Sequence, residues 1–265
     1  MKKIYCLIAL LALALNAEAQ KEVDFKIDYK PNSTYVQKMD IKMTMAIGTE
    51  EDGESFNQPL DMLMTHTVKT GTLKNNTLPF TAQMDVDSPM IGAAADQIKD
   101  WKFYGKFVNG TPQVDSISGT GANSKEANEA MNQAITKSLS QFPVMSKKIK
   151  IGESITTNKI PMNLANGMNV AEGTDIVVTY TLKKIEAKKA YFDMFMDTPL
   201  TIDMKGMKMK GTIKFTGTMI YDIDSHFVES QLMNMTSGFE MKHEEATMNL
   251  KMDGTNTVTV TVTPN

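Results

Sequence analysis

The side chains best able to do chemistry are scattered along this chain and do not form catalytic or metal-binding patterns. The histidines His66, His226 and His243 are isolated, without a second histidine two or four residues away. The sequence has no G-x-S-x-G motif and no glycine-rich phosphate loop between a strand and a helix. We therefore expect no enzymatic activity, no cofactor and no metal site, and expect the histidines to be partly exposed polar residues.

Two further polar sites are candidates for chemistry. Asp222 and Asp224 form a carboxylate pair at the end of a predicted strand, where they could bind calcium or exchange protons. Acidic residues at turns are usually solvated, which is what we expect of this pair. Asp115-Ser116-Ile117 resembles a short acceptor motif for O-glycosylation, which makes Ser116 a candidate modification site.

Methionine is the most unusual component, with 23 residues in a chain of 265. Several methionines are spaced two apart, so on a strand they would share a face about 6.5–7 Å apart. Three interpretations remain open: core packing, an adaptable pocket for a lipid-like ligand, and copper(I) binding through thioethers. Regular amphipathic strands favour the first two over copper. The candidate ligand-binding residues on the inner apolar face are Met43, Met45, Met194, Met196, Met207, Met209, Phe215 and Met219.

Alternating polarity indicates the elements that would position these residues. Between 207 and 221, apolar side chains and glycines alternate with lysine and threonine, and the same two-residue period recurs in 39–47 and 257–263. Alternation of this kind is typical of antiparallel sheets with one face in a core. The fold class is therefore mainly β, a large curved antiparallel sheet or partial barrel. Further strands are predicted at 60–74, 78–90, 101–108, 112–118, 154–163, 174–185, 190–204, 226–241 and 246–253.

One segment has helical spacing instead. Apolar residues recur between 124 and 142 with the period of an amphipathic helix, Asn123 and Glu126 form a capping pair, and Pro143 ends the run. We expect this helix to pack against the sheet. A weak internal sequence similarity suggests two related halves, about 20–120 and 145–265. The helix would join them within a single β-rich domain spanning 20–265.

The first residues read as an export signal. Lys2 and Lys3 precede an apolar run from Leu7 to Leu15, and Ala17-Glu18-Ala19 has the small-x-small form of a cleavage site. We expect residues 1–19 to be removed and the protein to be periplasmic or extracellular. Cys6 is not at the cleavage point, so we do not expect a lipoprotein, and no later segment is long and apolar enough for a membrane span.

The amino-acid composition limits the classes of molecule that we expect the protein to bind. All 28 cationic residues are lysines, and the net charge is −3. Arginine is the usual residue for recognising phosphates and base edges, so its absence argues against nucleic-acid binding.

Several segments in order resemble an uncharacterised family of secreted bacterial β proteins, most of them from Gram-negative envelopes. They are a Ser-Thr-Tyr strand entry at 33–35, KKIKIGESI from Lys147, VVTYTLKKIEAKKAYFDM from Val177, and GTIKFTGTMIYDIDSHFVES from Gly211. Ile155 stands where the family tends to have an aromatic residue. The resemblance implies a curved sheet similar to the half-barrels of periplasmic lipoprotein carriers, and it implies no activity.

Taken together, the sequence favours a non-enzymatic binding protein outside the cytoplasm whose partner is an apolar small molecule or lipid. The alternative is a structural or interaction protein that contacts another envelope protein and binds no small molecule.

Overall fold

The fold is almost entirely antiparallel β-structure. The computed structural model describes residues 22–49, 55–88, 101–119, 129, 132, 135–136, 139, 147–156, 160–161, 168–170, 175–204, 207–243 and 246–265. The predicted signal peptide lies outside these residues. The strands within them are β1 (Glu22–Phe25), β2 (Ser33–Thr49), β3 (Ser55–Thr70), β4 (Thr77–Asp87), β5 (Lys102–Val108), β6 (Thr111–Ser118), β7 (Lys147–Lys150), β8 (Ser154–Thr156), β9 (Ile160–Pro161), β10 (Met168–Val170), β11 (Asp175–Ile176), β12 (Thr179–Glu186), β13 (Lys189–Met204), β14 (Met207–Asp222), β15 (Phe227–His243) and β16 (Ala246–Pro264).

One large sheet contains most of these strands. Its order is β6-β5-β4-β3-β2-β16-β15-β14-β13-β12-β8, with β10 paired to β13 beside this path. Every pairing along the path is antiparallel. Among the described strands, β6 and β8 form the two edges and do not pair with each other. The predicted fold class is therefore confirmed, and the sheet does not close into a barrel.

The strands form where polarity alternates, because the sheet has one face in a core and the other in water. In β14, Thr212, Thr216 and Thr218 are exposed, whereas Met209, Met219 and Tyr221 on the opposite face are buried. Asp253-Gly254 resembles a turn in sequence, and the prediction of separate strands at 246–253 and 257–263 was wrong. β16 runs unbroken through this dipeptide because β15 and β2 pair with it in register on both sides.

Tight turns connect some of the neighbouring strands. Asn109 and Gly110, with φ of 50° and 80°, form a hairpin turn between β5 and β6. Ala187 and Lys188, with φ of 48° and 63°, make an equivalent two-residue turn between β12 and β13. These angles belong to the left-handed region, which suits asparagine and glycine better than alanine.

The core lies on one face of the sheet, here called the inner face, against which the N-terminal segment packs. The Phe25 ring lies 5.2 Å from Phe192 on β13 and 5.0 Å from Tyr221 on β14. The Tyr221 hydroxyl donates a 2.7 Å hydrogen bond to the carbonyl of Lys26. The segment from 22 to 31 therefore crosses the inner face and covers one end of the long strands.

The position of Tyr29 shows how strongly the sheet curves. Its ring centroid is 4.5 Å from that of Phe107 on β5 and 5.1 Å from that of Phe227 on β15. These strands are five steps apart in the sheet, and a flat sheet would separate them by about 24 Å at 4.8 Å per step. The sheet therefore curls around Tyr29.

The sequence-based prediction missed some of the short elements. β1 and β7 were not predicted as strands, and they pair into a separate two-stranded sheet. The predicted strand at 154–163 is represented by β8 and β9, and the one at 174–185 by β11 and β12. The described residues of the predicted 124–142 helix are helical, and Ile135 and Leu139 are buried in the main core cluster. The rest of that helix lies outside the described residues.

Candidate ligand-binding face

The strand register gathers the methionines onto the inner face, because directly paired residues share a side of the sheet. Met194, Gly217, Met233, Asn256, Ile41 and Met62, for example, form one row across six strands. Fifteen methionines among the described side chains occupy this face: Met39, Met43, Met45, Met62, Met64, Met84, Met194, Met196, Met209, Met219, Met233, Met235, Met241, Met248 and Met252. The described methionines of the sheet are therefore concentrated on one of its two sides.

The candidate residues divide between two parts of this face. Met194, Met196 and Met219 belong to the main core cluster, and Phe215 packs against it. Met209 belongs to a smaller cluster with Leu200 and Phe239. The two clusters lie toward opposite ends of the long strands.

Other candidates remain half-buried. Met43 and Met45 are only partly buried. Among the described residues, neither belongs to one of the two hydrophobic clusters. Met45 pairs with Met252, and Met43 pairs with Gly254 and Leu60. Met207 lies on β14, but its side chain is outside the described part. The end of the face around Met45 and Met252, away from the N-terminal segment, is therefore apolar and incompletely packed.

Glycines bring the strands together on this face. Gly211, Gly217 and Gly254 occupy inner-face positions. A Cβ atom at Gly211 would collide with the carbonyl oxygen of Gly238 and would lie 2.6 Å from Cδ1 of Phe239. Gly217 and Gly254 are equally restricted by neighbouring backbone. Glycine at these positions therefore allows a close approach of the neighbouring strands.

Polar atoms without partners also lie beneath the sheet. Across the described residues, the buried atoms Nε2 of His66, Nε1 of Trp101, Oγ of Ser237 and Oδ1 of Asn256 have no hydrogen-bond partner. Buried polar groups are normally paired, because leaving one unpaired costs about 1–3 kcal/mol. These atoms indicate places where an additional molecule could supply hydrogen bonds. The alternation Leu60, Met62, Met64, His66, Val68 could have identified His66 as an inner-face residue from sequence.

The histidines differ from their predicted environments. The expectation of partial exposure is wrong for His66, which is only 6% exposed, and burial lowers its pKa to about 4. His226 precedes β15 in a turn, with φ of 55° and its Nδ1 atom 3.2 Å from the Tyr221 hydroxyl oxygen. Partial burial and the nearby Lys26 and Lys30 charges lower the pKa of His226. His243 ends β15, but its side chain is outside the described part.

The carboxylate pair Asp222 and Asp224 has structural partners, and Ser116 lies at the surface. An Asp222 carboxylate oxygen accepts a 2.6 Å hydrogen bond from the Ser225 backbone N–H, and Asp224 forms a 2.8 Å ion pair with Lys188. Ser116 is exposed on the edge strand β6. In the residues that can be described, no cluster of three or more His, Cys, Asp or Glu side chains could hold a metal ion.

A separate groove lies beside the N-terminal segment. It has a volume of about 180 Å³, and Ile27, Tyr29, Leu73, Leu78 and Phe107 are among its lining residues. It contains none of the candidate methionines. No helix in the described ranges is long and apolar enough to cross a membrane.

Comparisons with known proteins give only remote structural similarities. No protein-family model matches the chain, and no curated protein matches it. A structure of lipid–protein interactions in lipovitellin is similar with a TM-score of 0.42 and 8% identity, over 89% of this chain and 26% of that chain. The chain thus spans about a quarter of the lipovitellin chain's length.

Two bacterial structures are more distant. A mutant porin from Rhodopseudomonas blastica has a TM-score of 0.27 and 9% identity, over 84% of this chain and 99% of that chain. A putative exported protein with a YmcC-like fold from Bacteroides fragilis has a TM-score of 0.21 and 9% identity, over 87% and 97%. Scores this low carry no argument about function.

Proposed function

We propose that the protein is a non-enzymatic binding protein outside the cytoplasm, and that its inner face holds an apolar, lipid-like ligand. The observation that carries the proposal is the concentration of fifteen methionines on one side of a curved sheet. Methionine is flexible and polarizable, so a surface built from it can repack around ligands of different shapes. The proposal includes membership of this protein in the family of secreted bacterial β proteins that its sequence resembles.

The half-buried end of the inner face is the best place for such a ligand. Met43, Met45 and Met252 lie there without joining the main core. Burying apolar area contributes about 25 cal/mol per Å², so covering several such side chains would give appreciable affinity. The outer face offers less, because exposed threonines, lysines and aspartates alternate along the same strands.

Binding can be tested with a matched pair of variants on β2. Met45 faces inward, and the adjacent Thr44 is exposed on the outer face. Stripped of bound lipid, the wild-type protein should bind an apolar naphthylamine dye, and Met45→Lys should weaken binding at least about tenfold by placing a charge among apolar side chains. Thr44→Lys should bind as the wild type does, because it adds the same charge on the other face. Fluorescence titration measures both.

Native mass spectrometry of protein recovered from its host supplies the second measurement. The proposal expects a bound apolar molecule that organic extraction removes. Ligand-free protein that also fails to bind the dye would contradict the proposal, and so would equal dye affinity in Met45→Lys and the wild type.

The alternative function is that of an interaction protein of the cell envelope. Leu63, Phe195 and Leu232 favour it, because these large apolar side chains are 45–46% exposed on the outer face. Replacing Leu63 and Leu232 together by lysine should abolish crosslinking to a repeatable envelope partner while leaving dye binding unchanged. Failure to recover any repeatable partner with the wild-type protein would count against this alternative.

A further inference from the structure

Two unpaired nitrogen atoms lie in one cross-strand row of the inner face. His66 on β3 pairs with Met84 on β4. Lys102 pairs with Gln83, so the next step along the same ladder places Trp101 beside Met84. Trp101 and His66 therefore flank Met84, with their backbones about 10 Å apart at two strand spacings.

Both side chains are deeply buried. Trp101 is 4% exposed and His66 is 6% exposed. Neither Nε1 of Trp101 nor Nε2 of His66 has a hydrogen-bond partner among the residues described. The indole nitrogen can only donate a hydrogen bond, whereas the imidazole nitrogen can donate in one tautomer. Two buried N–H groups on either side of a movable thioether are suited to a shared acceptor.

The surroundings indicate that this acceptor is uncharged. Gln37 and Met84 pair with His66 across the sheet, and Met64 and Val68 are its inner-face neighbours on β3. All four side chains are neutral. Burial also lowers the pKa of His66 to about 4, so the imidazole is neutral under ordinary conditions. An ionised carboxylate would lose its hydration here without gaining an opposite charge.

We propose that Trp101 and His66 bind the uncharged carbonyl oxygen of an acyl ligand, such as an ester, while its hydrocarbon chain runs along Met64 and Met62 toward the half-buried end of the inner face. This inference rests on the proposed function and adds the ligand's polar group and the two residues that recognise it. Met84 moves aside to admit the carbonyl, which the three rotatable bonds of its side chain permit.

The test compares two ligands of similar length, methyl decanoate with a carbonyl and dodecane without one. Each displaces the naphthylamine dye from protein stripped of lipid. Trp101→Phe keeps an aromatic ring but removes the N–H, so it should weaken methyl decanoate binding about fivefold, the value of one neutral hydrogen bond. His66→Phe should do the same, and His66→Gln should recover part of the loss because it restores an N–H donor. Dodecane affinity should not change in any of these variants.

Tyr104→Phe is the matched control, since Tyr104 is an aromatic residue near Trp101 that is 40% exposed. It should change neither affinity. The dodecane titration also shows whether each variant has kept its binding face.

The outcomes separate the two proposals. If dodecane binds but Trp101→Phe and His66→Phe leave methyl decanoate affinity unchanged, the carbonyl site is wrong and the apolar face stands. If neither ligand displaces the dye from the wild-type protein, both proposals fail. A crystal structure with methyl decanoate whose carbonyl lies elsewhere, with only water at the two nitrogen atoms, would also overturn the inference.

Discussion

At the residue scale, the environment of a side chain depends on which face of the sheet it occupies. His66 and Lys69 lie three residues apart on β3, yet the first is buried and the second is exposed. In the folded state the imidazole of His66 is therefore neutral and lies in an apolar environment. In the unfolded chain it gains a proton readily. This difference couples the stability of the fold to pH.

The stability of the wild-type protein should fall between pH 7 and pH 5 because of His66. Its pKa is about 4 in the folded state, below the ordinary value of 6.5, so the unfolded chain binds more protons over this range. The stabilisation is present above pH 6.5 and is lost as the pH falls toward 4, with a loss of about 2 kcal/mol by pH 5. Urea unfolding at each pH measures it.

His66→Phe should remove this component and flatten the stability profile relative to the wild type. His226→Asn is the comparison, because the pKa of His226 is also lowered but the residue is less buried, so its replacement should flatten the profile less than His66→Phe does. Asparagine tolerates the positive φ at this position. An unchanged slope in His66→Phe would show that His66 does not carry the pH dependence.

At the scale of the elements, the long strands and their connections require certain positions to lack a side chain or to adopt a left-handed backbone conformation. Gly211 and Gly217 lie on β14, and both face neighbouring backbone that leaves no room for a Cβ atom. Gly238 on β15 has open space around its α-carbon. Glycines in this sheet therefore have different structural roles.

Gly211→Ala and Gly217→Ala should each destabilise the fold by about 2 kcal/mol, because backbone must shift to admit a methyl group. Gly238→Ala should be neutral or stabilise the fold by up to about 1 kcal/mol, because it restricts the unfolded chain without a clash. Urea unfolding compares the three. Equal stability of all three variants would contradict the close approach of β14 and β15.

A substitution in the turn between β12 and β13 should increase the stability of the fold. Ala187 has a φ of 48°, where an alanine side chain costs roughly 1 kcal/mol. Ala187→Asn should raise the free energy of unfolding by about 0.5–1 kcal/mol, since asparagine adopts this conformation readily. Ala187→Val should lower it, because a β-branched residue fits worse. Thermal unfolding measures both, and the reverse order would refute a left-handed turn.

At the scale of the whole molecule, the sheet curls around a small number of aromatic rings from the N-terminal segment. Tyr29 contacts rings on β5, β2 and β15, which are distant along the sheet. These contacts hold strands together that have no mutual hydrogen bonds. Tyr29 is therefore a determinant of curvature that packs against the main core.

Tyr29→Ala should destabilise the protein by about 3–4 kcal/mol, the usual cost of removing a core aromatic side chain. Tyr104→Ala is the control at an exposed position, and it should change stability by less than about 1 kcal/mol. Urea unfolding followed by tryptophan fluorescence compares them. Equal losses in both variants would mean that Tyr29 has no special role.

The sequence predicted the alternating strands well, but it could not predict how they are arranged. A two-residue period assigns Met209 and Met219 to the same face of β14, and both are buried as expected. It does not say which strands become neighbours or how far the sheet curls, because these depend on contacts such as Tyr29 with Phe227 between distant residues. The continuity of β16 through Gly254 was missed for the same reason, since pairing on both sides overrides a local turn signal.

The candidate site was predicted only in part. Placing the methionines on one face follows from alternation, but the separation of Met45 from Met196 depends on where the N-terminal segment covers the sheet. The unpaired nitrogen of Trp101 could not be foreseen, because it depends on the absence of partners in three dimensions.

The path of residues 22–31 has a consequence for how the chain acquires its structure. The hydroxyl of Tyr221 bonds to Lys26, 195 positions earlier, and β2 pairs with β16 at the opposite end of the chain. Residues 22–31 can make their contacts with β14 only after that strand has been synthesised. These long-range contacts slow folding, whereas β2 to β6 pair with their neighbours in sequence and can form hairpins earlier.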